Sequence, residues 1–320
     1  MATSIQTAER VEILTLQDNY IDLVSRDDTD VVTRARPVKG QEIRNSILAE
    51  HGFAALVTVT RGGVSRTVLF DGGFSETGAA LNAETLSADL TRVEAVVVSH
   101  GHLDHVGGIG ELLRRVGKRG IPLVTHPAAF RSPRYIKLHG GVKLYFPAFS
   151  KEKAMTAGAA FVETRSPYPL LDGGLLFLGE VPRTTAFETG APYLCYEEGG
   201  EERQDLIEDD TAVVAHVRGR GLVVLSGCAH AGIVNTVKHA QEVTGVRQVF
   251  AVMGGFHLTG ADMRSVVEPT ARALVEIAPE HIVPTHCTGR QASLEIERMM
   301  PGRFLLNMAG TKITFAAASP

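Results

Sequence analysis

Short apolar runs alternate with segments of helical periodicity along most of the chain, and the two patterns together predict layers of strands and helices. Runs rich in Val, Ile, Leu and Phe that are bounded by Gly, Asp or Asn are typical of strands. We predict strands at residues 11–16, 54–60, 67–70, 95–99, 122–125, 249–252 and 282–284, and terminal strands within 303–315. Apolar positions three and four residues apart predict helices at residues 76–90, 109–116, 233–243, 262–277 and 291–299.

The order of these elements predicts the fold class. A strand-rich segment is followed by a strand–helix–strand unit, and a similar order returns after residue 174. We therefore expect an α/β (α+β) protein whose two similar halves pack sheet on sheet with helices outside. We expect a single domain over residues 1–320, with irregular insertions near 127–170 and 183–209 that form substrate loops, and a charged loop at 25–42.

Composition narrows the classes of function. With 44% hydrophobic and 21% charged residues, the 320-residue chain resembles an ordinary soluble globular protein. Its net charge of −4 provides no basic field for nucleic acid. No apolar run could span a membrane and no secretory signal is visible, so we expect a cytoplasmic protein. The three cysteines lack the spacing of a disulfide framework. We expect a small-molecule substrate as the partner, with neither nucleic acid nor a membrane; a homo-oligomer stays open.

The most informative segment lies directly after a predicted strand and before a predicted helix. It contains His100, His102, Asp104 and His105 within six positions. A turn there can aim the first two side chains at one cation and the other two at a second. Imidazole and carboxylate ligands suit Zn²⁺, Mn²⁺ or Fe. A solvated polar turn is the alternative, although this pattern rarely arises by accident in such a context. We expect three glycines to supply the backbone conformations of a tight loop, namely Gly101, Gly107 and Gly108.

This segment resembles the signature of the metallo-β-lactamase-fold hydrolases. Further segments resemble one branch, the dihydropterin-methyl-ribofuranosylaminobenzene 5'-phosphate synthase-like proteins, and these segments are 51–53, 69–73, 227–232, 254–258 and 284–289. The resemblance extends over roughly residues 11–315. It implies an αββα sandwich, with two mixed β-sheets face to face and helices outside. It also implies a centre for two metal ions, for which we expect Zn²⁺, with Mn²⁺ or Fe as alternatives.

Further histidines are candidates to complete the two-metal centre that the resemblance implies. His230 and His286 each follow a predicted strand and are expected to be ligands, with indirect support of the ligands as the alternative for His230. His257 is expected to contact either a metal or the substrate. His216 is expected to lie at the surface or in the core. The histidines without comparable context are His51, His126, His139, His239 and His281.

The chain departs from the commoner pattern of the superfamily at one position. Many members have an Asp that bridges the two metals and follows a Gly at a strand end, whereas here Cys228 follows Gly227. The bridging carboxylate is therefore missing, replaced by Cys228, or supplied by another residue such as Glu180. The resemblance also implies that Asp71 supports the histidine loop, with a plain turn former as the alternative. Asp18 with the following Asn has the same two interpretations.

We interpret these features as a metal-dependent hydrolase that uses a metal-activated water on a small anionic or heterocyclic substrate, such as an ester, lactone or phosphodiester. Asp104 would be both a ligand and the catalytic proton acceptor. The alternatives are a dihydropterin-ribofuranosylaminobenzene phosphate synthase-like enzyme and a metal-bound sensor or binding protein with degenerate catalysis. Basic residues of the insertions could bind an anionic substrate or be solvated surface charges, and the candidates are Arg131, Arg134 and Arg183, with Lys137 and Arg165. Aromatic residues there could line a ring pocket or serve packing, and they are Tyr135, Tyr145, Phe146, Phe149 and Tyr168.

Overall fold

The computed structural model describes residues 4–43 and 45–318, in which two large β-sheets lie face to face between layers of helices. The first sheet has eight strands, which are, in spatial order, Ala159–Glu163, Ile121–Thr125, Val93–Val97, Val64–Phe70, Ala54–Arg61, Arg10–Gln17, Lys312–Ala316 and Val32–Thr33. The second sheet has seven strands. Six are, in order, Tyr168–Leu170, Leu175–Phe177, Ala212–Val217, Gly221–Ser226, Val249–Gly255 and His281–Thr285, and the seventh, Thr7–Ala8, pairs with Ala212–Val217.

Local sequence explains the central strands. The hairpin Ala54–Arg61 and Val64–Phe70 turns at Gly62 and Gly63, which both adopt the positive φ that a tight hairpin needs. Strand Gly221–Ser226 is buried at every position and lies between two neighbours, so its continuous apolar run suits both of its faces.

Helices cover the outer face of each sheet. The α-helices are Gly78–Thr85, Leu103–Val106, Ile109–Val116, Lys151–Thr156, Ile233–Thr244, Arg264–Ile277 and Arg290–Met299, and the 3₁₀ turns are Leu90–Arg92, Pro127–Phe130, His139–Gly141, Leu171–Gly173, Ala261–Met263 and His286–Thr288. Apolar residues of Gly78–Thr85, Ile109–Val116 and Lys151–Thr156 pack on the first sheet, and those of the last three helices pack on the second. A third apolar layer, which includes Val57 and Met253, fills the space between the sheets. The predicted αββα sandwich of two mixed sheets is confirmed.

The two predicted insertions are more regular than we expected. Segments from both of them pair into a four-stranded antiparallel sheet, here called the insertion sheet, whose strands are Lys143–Tyr145, Arg134–Lys137, Leu194–Glu198 and Glu201–Gln204. The loop predicted at 25–42 contains Val32–Thr33, and Val38–Lys39 pairs with Glu42–Ile43. Conversely, residues 303–311 contribute only an isolated bridge at Phe304. The pairing of Arg134–Lys137 with Leu194–Glu198 and that of Val32–Thr33 with Lys312–Ala316 join distant segments, so local pattern does not reveal them.

The direction of the strands determines where the functional residues lie. In the first sheet, Arg10–Gln17, Val64–Phe70 and Val93–Val97 run in the same direction. In the second, Gly221–Ser226, Val249–Gly255 and His281–Thr285 are parallel. Residues that follow these strands therefore collect at one edge of each sheet. Among the described residues, no helix combines the length and the apolar character required to cross a membrane.

Candidate metal centre

The histidine loop connects strand Val93–Val97 to the one-turn helix Leu103–Val106 and buries its imidazoles. His100 and His105 are fully buried, and His102 is 5% exposed. The glycines of this loop do not have positive φ, so our explanation for them was wrong. They allow close packing instead: a Cβ atom on Gly101 would lie 1.9 Å from the carbonyl oxygen of Ala129.

One set of donors, here called the imidazole site, consists of His100, His102 and His230. Possible ligand atoms of His100 and His230 lie within 4.8 Å of each other and of Cys228. The ring of His102 lies 4.7 Å from that of His100 and 4.9 Å from that of His230, between centroids. The Nε2 atoms of all three histidines are buried without a hydrogen-bond partner. Burial lowers the pKa of His100 and His230 well below the usual value and that of His102 to about 4, so the three imidazoles are neutral at neutral pH.

A second set, here called the carboxylate site, consists of Asp104, His105 and His286. Their possible ligand atoms lie within 4.8 Å of one another and again of Cys228. Asp104 Oδ2 lies 3.3 Å from His286 Nε2 and 3.8 Å from His105 Nε2. Burial alone would raise the pKa of Asp104, but the neighbouring His105 and His286 hold it well below its usual range. Burial alone would lower the pKa of His105, but the charges of Asp104 and Asp71 raise it to about 9.

Polar residues at neighbouring strand ends hold the histidines of the carboxylate site from behind. Asp71 Oδ2 lies 2.7 Å from His105 Nδ1, and Asp71 also accepts hydrogen bonds from the backbone and side chain of Ser99. Asn19 Oδ1 lies 3.0 Å from His286 Nδ1, and Asp18 accepts a bond from the His286 backbone. Such partners orient ligating imidazoles. The contact of Asp71 with His105 is the one expected of a carboxylate that supports the histidine loop. Asp18 and Asn19 make comparable contacts with His286.

The opposite wall of the centre comes from the ends of the second sheet. Cys228 Sγ lies 3.1 Å from His105 Nε2 and 3.0 Å from the Sγ atom of Cys287. Burial raises the pKa of the Cys228 thiol. Possible ligand atoms of Cys228, His257 and Cys287 form a third group within 4.8 Å. Cys287 was missed in the sequence, although its position directly after a candidate ligand was an available signal. His257 belongs to this third group, and its ring lies 4.1 Å from that of His230.

Unusual backbone conformations mark the same region. Non-glycine residues with positive φ are uncommon and tend to occur where function demands them. Those at this centre are Asp71, Ala229, His257 and His286, with φ between 45° and 57°.

Arg134 contacts the histidine loop indirectly, through Asp209. Its side chain is 3% exposed, its Nε lies 2.6 Å from Asp205 Oδ2, and it forms a bidentate pair with Asp209. Asp209 also accepts a hydrogen bond from the backbone N–H of Gly101 at 2.8 Å. Burial raises the pKa of Asp209, but Arg134 outweighs this and the pKa falls to about 2. Because these carboxylates pair with its guanidinium, Arg134 holds the N–H of Gly101 in place through Asp209, and a contact of Arg134 with substrate stays a prediction.

The other candidate substrate residues also contact protein groups. Arg131 pairs with Asp205 at 3.2 Å and with Glu208 at 2.8 Å. Arg183 donates to the backbone carbonyl of His230 at 2.9 Å, while its Nε is buried without a partner. Glu180, considered above as a bridging ligand, lies outside the three groups and pairs with Arg165 and His126.

Three further side chains border the centre. His51, to which we assigned no role, is exposed, and its Nε2 lies 3.3 Å from Asp104 Oδ2. The ring of Phe146 stacks on that of His102 with centroids 4.7 Å apart. The hydroxyl of Tyr193 lies 3.4 Å from His257 Nε2. The insertion-sheet region therefore brings aromatic groups to the rim of the centre.

Comparisons with known proteins agree with this architecture. Residues 51–196 match the metallo-beta-lactamase superfamily. The chain is 31% identical over 252 residues to the 7,8-dihydropterin-6-methyl-4-(beta-D-ribofuranosyl)-aminobenzene-5'-phosphate synthase of Methanocaldococcus jannaschii, a match that covers 76% of this chain and 83% of the synthase. A protein of the same organism described only as uncharacterized is 26% identical over 258 residues, covering 78% of this chain and 89% of its own.

Solved structures show the same fold. Tm1679, a metal-dependent hydrolase of the beta-lactamase superfamily, superposes with a TM-score of 0.71 at 27% identity and covers 96% of this chain and 99% of its own. The metallo-beta-lactamase fold protein YhfI of Bacillus subtilis superposes with a TM-score of 0.52 at 11% identity, covering 96% of this chain and 100% of its own. At that identity, YhfI supports the fold alone.

Proposed function

The chain belongs to the metallo-β-lactamase superfamily, as its motifs predicted, and on that premise we propose that it is a metal-dependent hydrolase. Its substrate would be a small anionic or heterocyclic molecule with an ester, lactone or phosphodiester bond. One observation carries the proposal: buried histidine Nε2 atoms without hydrogen-bond partners converge at the strand ends, and they belong to His100, His102 and His230. Buried polar atoms are seldom left unpaired unless a ligand satisfies them.

The donor set fits divalent cations. We propose that the imidazole site and the carboxylate site each hold one cation, with Zn²⁺ preferred because imidazole, carboxylate and thiolate are all zinc ligands. Mn²⁺ and Fe are the alternatives. Cations at these positions would supply Lewis-acid polarisation of a carbonyl or phosphoryl oxygen and would acidify water.

The protein's own groups would prepare the reaction. Asp71 and Asn19 orient the rings of His105 and His286, so these ligands would not have to reorganise when substrate binds. Asp104 stays ionised, as a cation ligand must be, and among the described residues it is the one carboxylate in the donor groups, which makes it our candidate proton acceptor. His51 is exposed and hydrogen-bonded to Asp104, so it would connect this carboxylate to solvent.

The rim suits a small, flat substrate. Phe146 and Tyr193 present aromatic groups next to His102 and His257. Apolar surfaces with a few polar groups are typical of small-molecule sites. We further propose a cytoplasmic enzyme that involves neither nucleic acid nor a membrane, and whose oligomeric state is to be measured.

The decisive experiment combines elemental analysis with a panel of phosphodiesters, carboxylic esters and lactones. We expect two bound cations and turnover of at least one class, and His102→Ala should release the cation of the imidazole site and abolish turnover. Full activity in protein stripped of metal would contradict the proposal. One bound cation without turnover would favour a sensor or binding protein.

The second candidate is a synthase that resembles the Methanocaldococcus jannaschii enzyme, and the 31% identity over most of that protein favours it. That enzyme's name states a product containing a dihydropterin and a phosphorylated ribofuranosylaminobenzene. Activated dihydropterin with the ribosylated aminobenzene phosphate is therefore the assay for this candidate. Formation of the joined product without hydrolysis of the panel would replace the hydrolase proposal.

A further inference from the structure

Cys228 occupies the position between the two cation sites. Its Sγ atom belongs to the donor group of His100 and His230 and also to the group of Asp104, His105 and His286. We propose that the thiolate of Cys228 bridges the two cations. The inference rests on the proposed two-cation centre and goes beyond it by naming the shared ligand.

Carboxylates do not compete for this position. Among the residues that the structure describes, Asp104 is the one carboxylate in any of the three donor groups, and its group is that of the carboxylate site. Asp71 turns its oxygens toward Ser99 and the far side of His105. Glu180 and Asp209 are paired with arginines. Among the described residues, Cys228 is the one whose ligand atom belongs to both donor groups.

The backbone next to Cys228 is shaped to bring the sulfur into the centre. A Cβ atom on Gly227 would lie 2.1 Å from Ser99 Oγ and 2.9 Å from Asp71 Oδ2, so only glycine allows the two strand ends to approach so closely. The following Ala229 has a positive φ of 51°, which a residue with a Cβ adopts at a cost. These two features place Cys228 against His105.

The surroundings of Cys228 are those of a ligand rather than of a packing residue. The side chain is buried, with 2% of the residue exposed, but its nearest polar neighbours are His105 Nε2 at 3.1 Å and Cys287 Sγ at 3.0 Å. The two sulfurs are in hydrogen-bond contact, and a cation bound at Cys228 would deprotonate its thiol. A thiolate is a soft ligand, so the bridge should favour Zn²⁺, Co²⁺ or Cd²⁺ over Mg²⁺ or Mn²⁺.

The test is a titration of metal-free protein with Co²⁺, followed by the thiolate-to-cobalt charge-transfer absorption. We expect the band in the wild type and its loss in Cys228→Ser, with cobalt affinity reduced by about tenfold or more. Cys195→Ser is the matched control, because Cys195 is also a buried free cysteine but lies in the insertion sheet and outside the donor groups. This control should keep the band.

A second variant separates a bridging role from packing. Cys228→Asp replaces the thiolate with a carboxylate, which can also bridge two cations, so it should bind two cobalt ions without the charge-transfer band. A merely packed cysteine would instead tolerate Cys228→Ala and lose the fold or the metals as Asp, which thermal unfolding and metal content would reveal. Cadmium NMR then distinguishes a bridge, which shifts both metal resonances, from a terminal thiolate, which shifts one.

Failures of the two proposals are distinguishable. If the wild type binds fewer than two cobalt ions, the two-cation centre is wrong and the bridge with it. If it binds two ions without a charge-transfer band, the centre stands and the thiolate bridge is wrong. A band that persists in Cys228→Ser but disappears in Cys287→Ser would also overturn the assignment.

Discussion

The imidazole site and the carboxylate site share Cys228, but the protein prepares their histidines in opposite ways. His100 and His105 lie next to each other, with ring centroids 4.2 Å apart. Burial holds the pKa of His100 well below its usual value, whereas Asp104 and Asp71 raise that of His105 to about 9 against the effect of burial. The two histidines are equally buried, so their pKa values differ because their partners differ.

The two sites also differ in the residues that hold their histidines in place. Behind the carboxylate site, Asp71 and Asn19 bond directly to the imidazoles of His105 and His286. Behind the imidazole site, the main support acts on the backbone, because Asp209 holds the N–H of Gly101 and Arg134 holds Asp209. The carboxylate site should therefore respond to loss of a side-chain partner, and the imidazole site to loss of a buried ion pair.

The largest effects are expected from removing a ligand of one site at a time. Asp104→Ala should release the cation of the carboxylate site and His230→Ala that of the imidazole site, with one cation remaining in each variant. Each should reduce activity by more than the ~100-fold that loss of an indirect partner causes. Elemental analysis and initial rates measure both quantities. Loss of both cations from each variant would show that the sites do not form independently.

A smaller effect, on folding, is expected from Arg134→Met. It leaves Asp209 buried without its cation and Asp205 with Arg131 alone, so the free energy of unfolding should fall by about 3–5 kcal/mol. Chemical denaturation measures this change. The matched control is Arg131→Met, because Arg131 pairs with the same Asp205 but its side chain is 20% exposed; it should cost about 1 kcal/mol or less. Equal losses in the two variants would contradict the positioning role of Arg134.

The smallest effect is expected from Asp71→Asn, which weakens the hydrogen bond to His105 Nδ1. Cation affinity of the carboxylate site should fall about 10–100-fold, while the imidazole site changes less. Competition with a chelator measures the two affinities. Asp172→Asn is the control, since Asp172 has a similar φ of 52° but its side chain is 85% exposed. An unchanged affinity in Asp71→Asn would show that Asp71 serves only the turn.

Much of the fold was predictable because its helices and central strands follow local periodicity. The helix predicted at 109–116 is Ile109–Val116, and that predicted at 233–243 is Ile233–Thr244. The insertion sheet was not predictable, because Arg134–Lys137 pairs with Leu194–Glu198 across a long separation and neither segment has a strong pattern of its own. The terminal strand was placed too early, since residues 303–311 are apolar in part without forming a strand.

The candidate site was predictable where its residues are contiguous. His100, His102, Asp104 and His105 form a dense motif, and their convergence follows from one turn and one helical turn. Asn19, Cys287 and His51 lie outside that motif, and each reaches the centre only through contacts between segments far apart in sequence. Whether these side chains bind metal stays a prediction.

The sequence by itself determined which chemical groups stand at the ends of strands, because hydrophobic periodicity sets each strand and the polar residues follow it. The tertiary structure decided which of these groups meet and what charge they carry. Gly227 pressed against Ser99 brings the second sheet onto the histidine loop, and this contact places Cys228 in both donor groups. Local pattern fixes the order of groups along the chain, whereas distances between atoms, and hence pKa values and shared ligands, depend on packing between segments far apart in sequence.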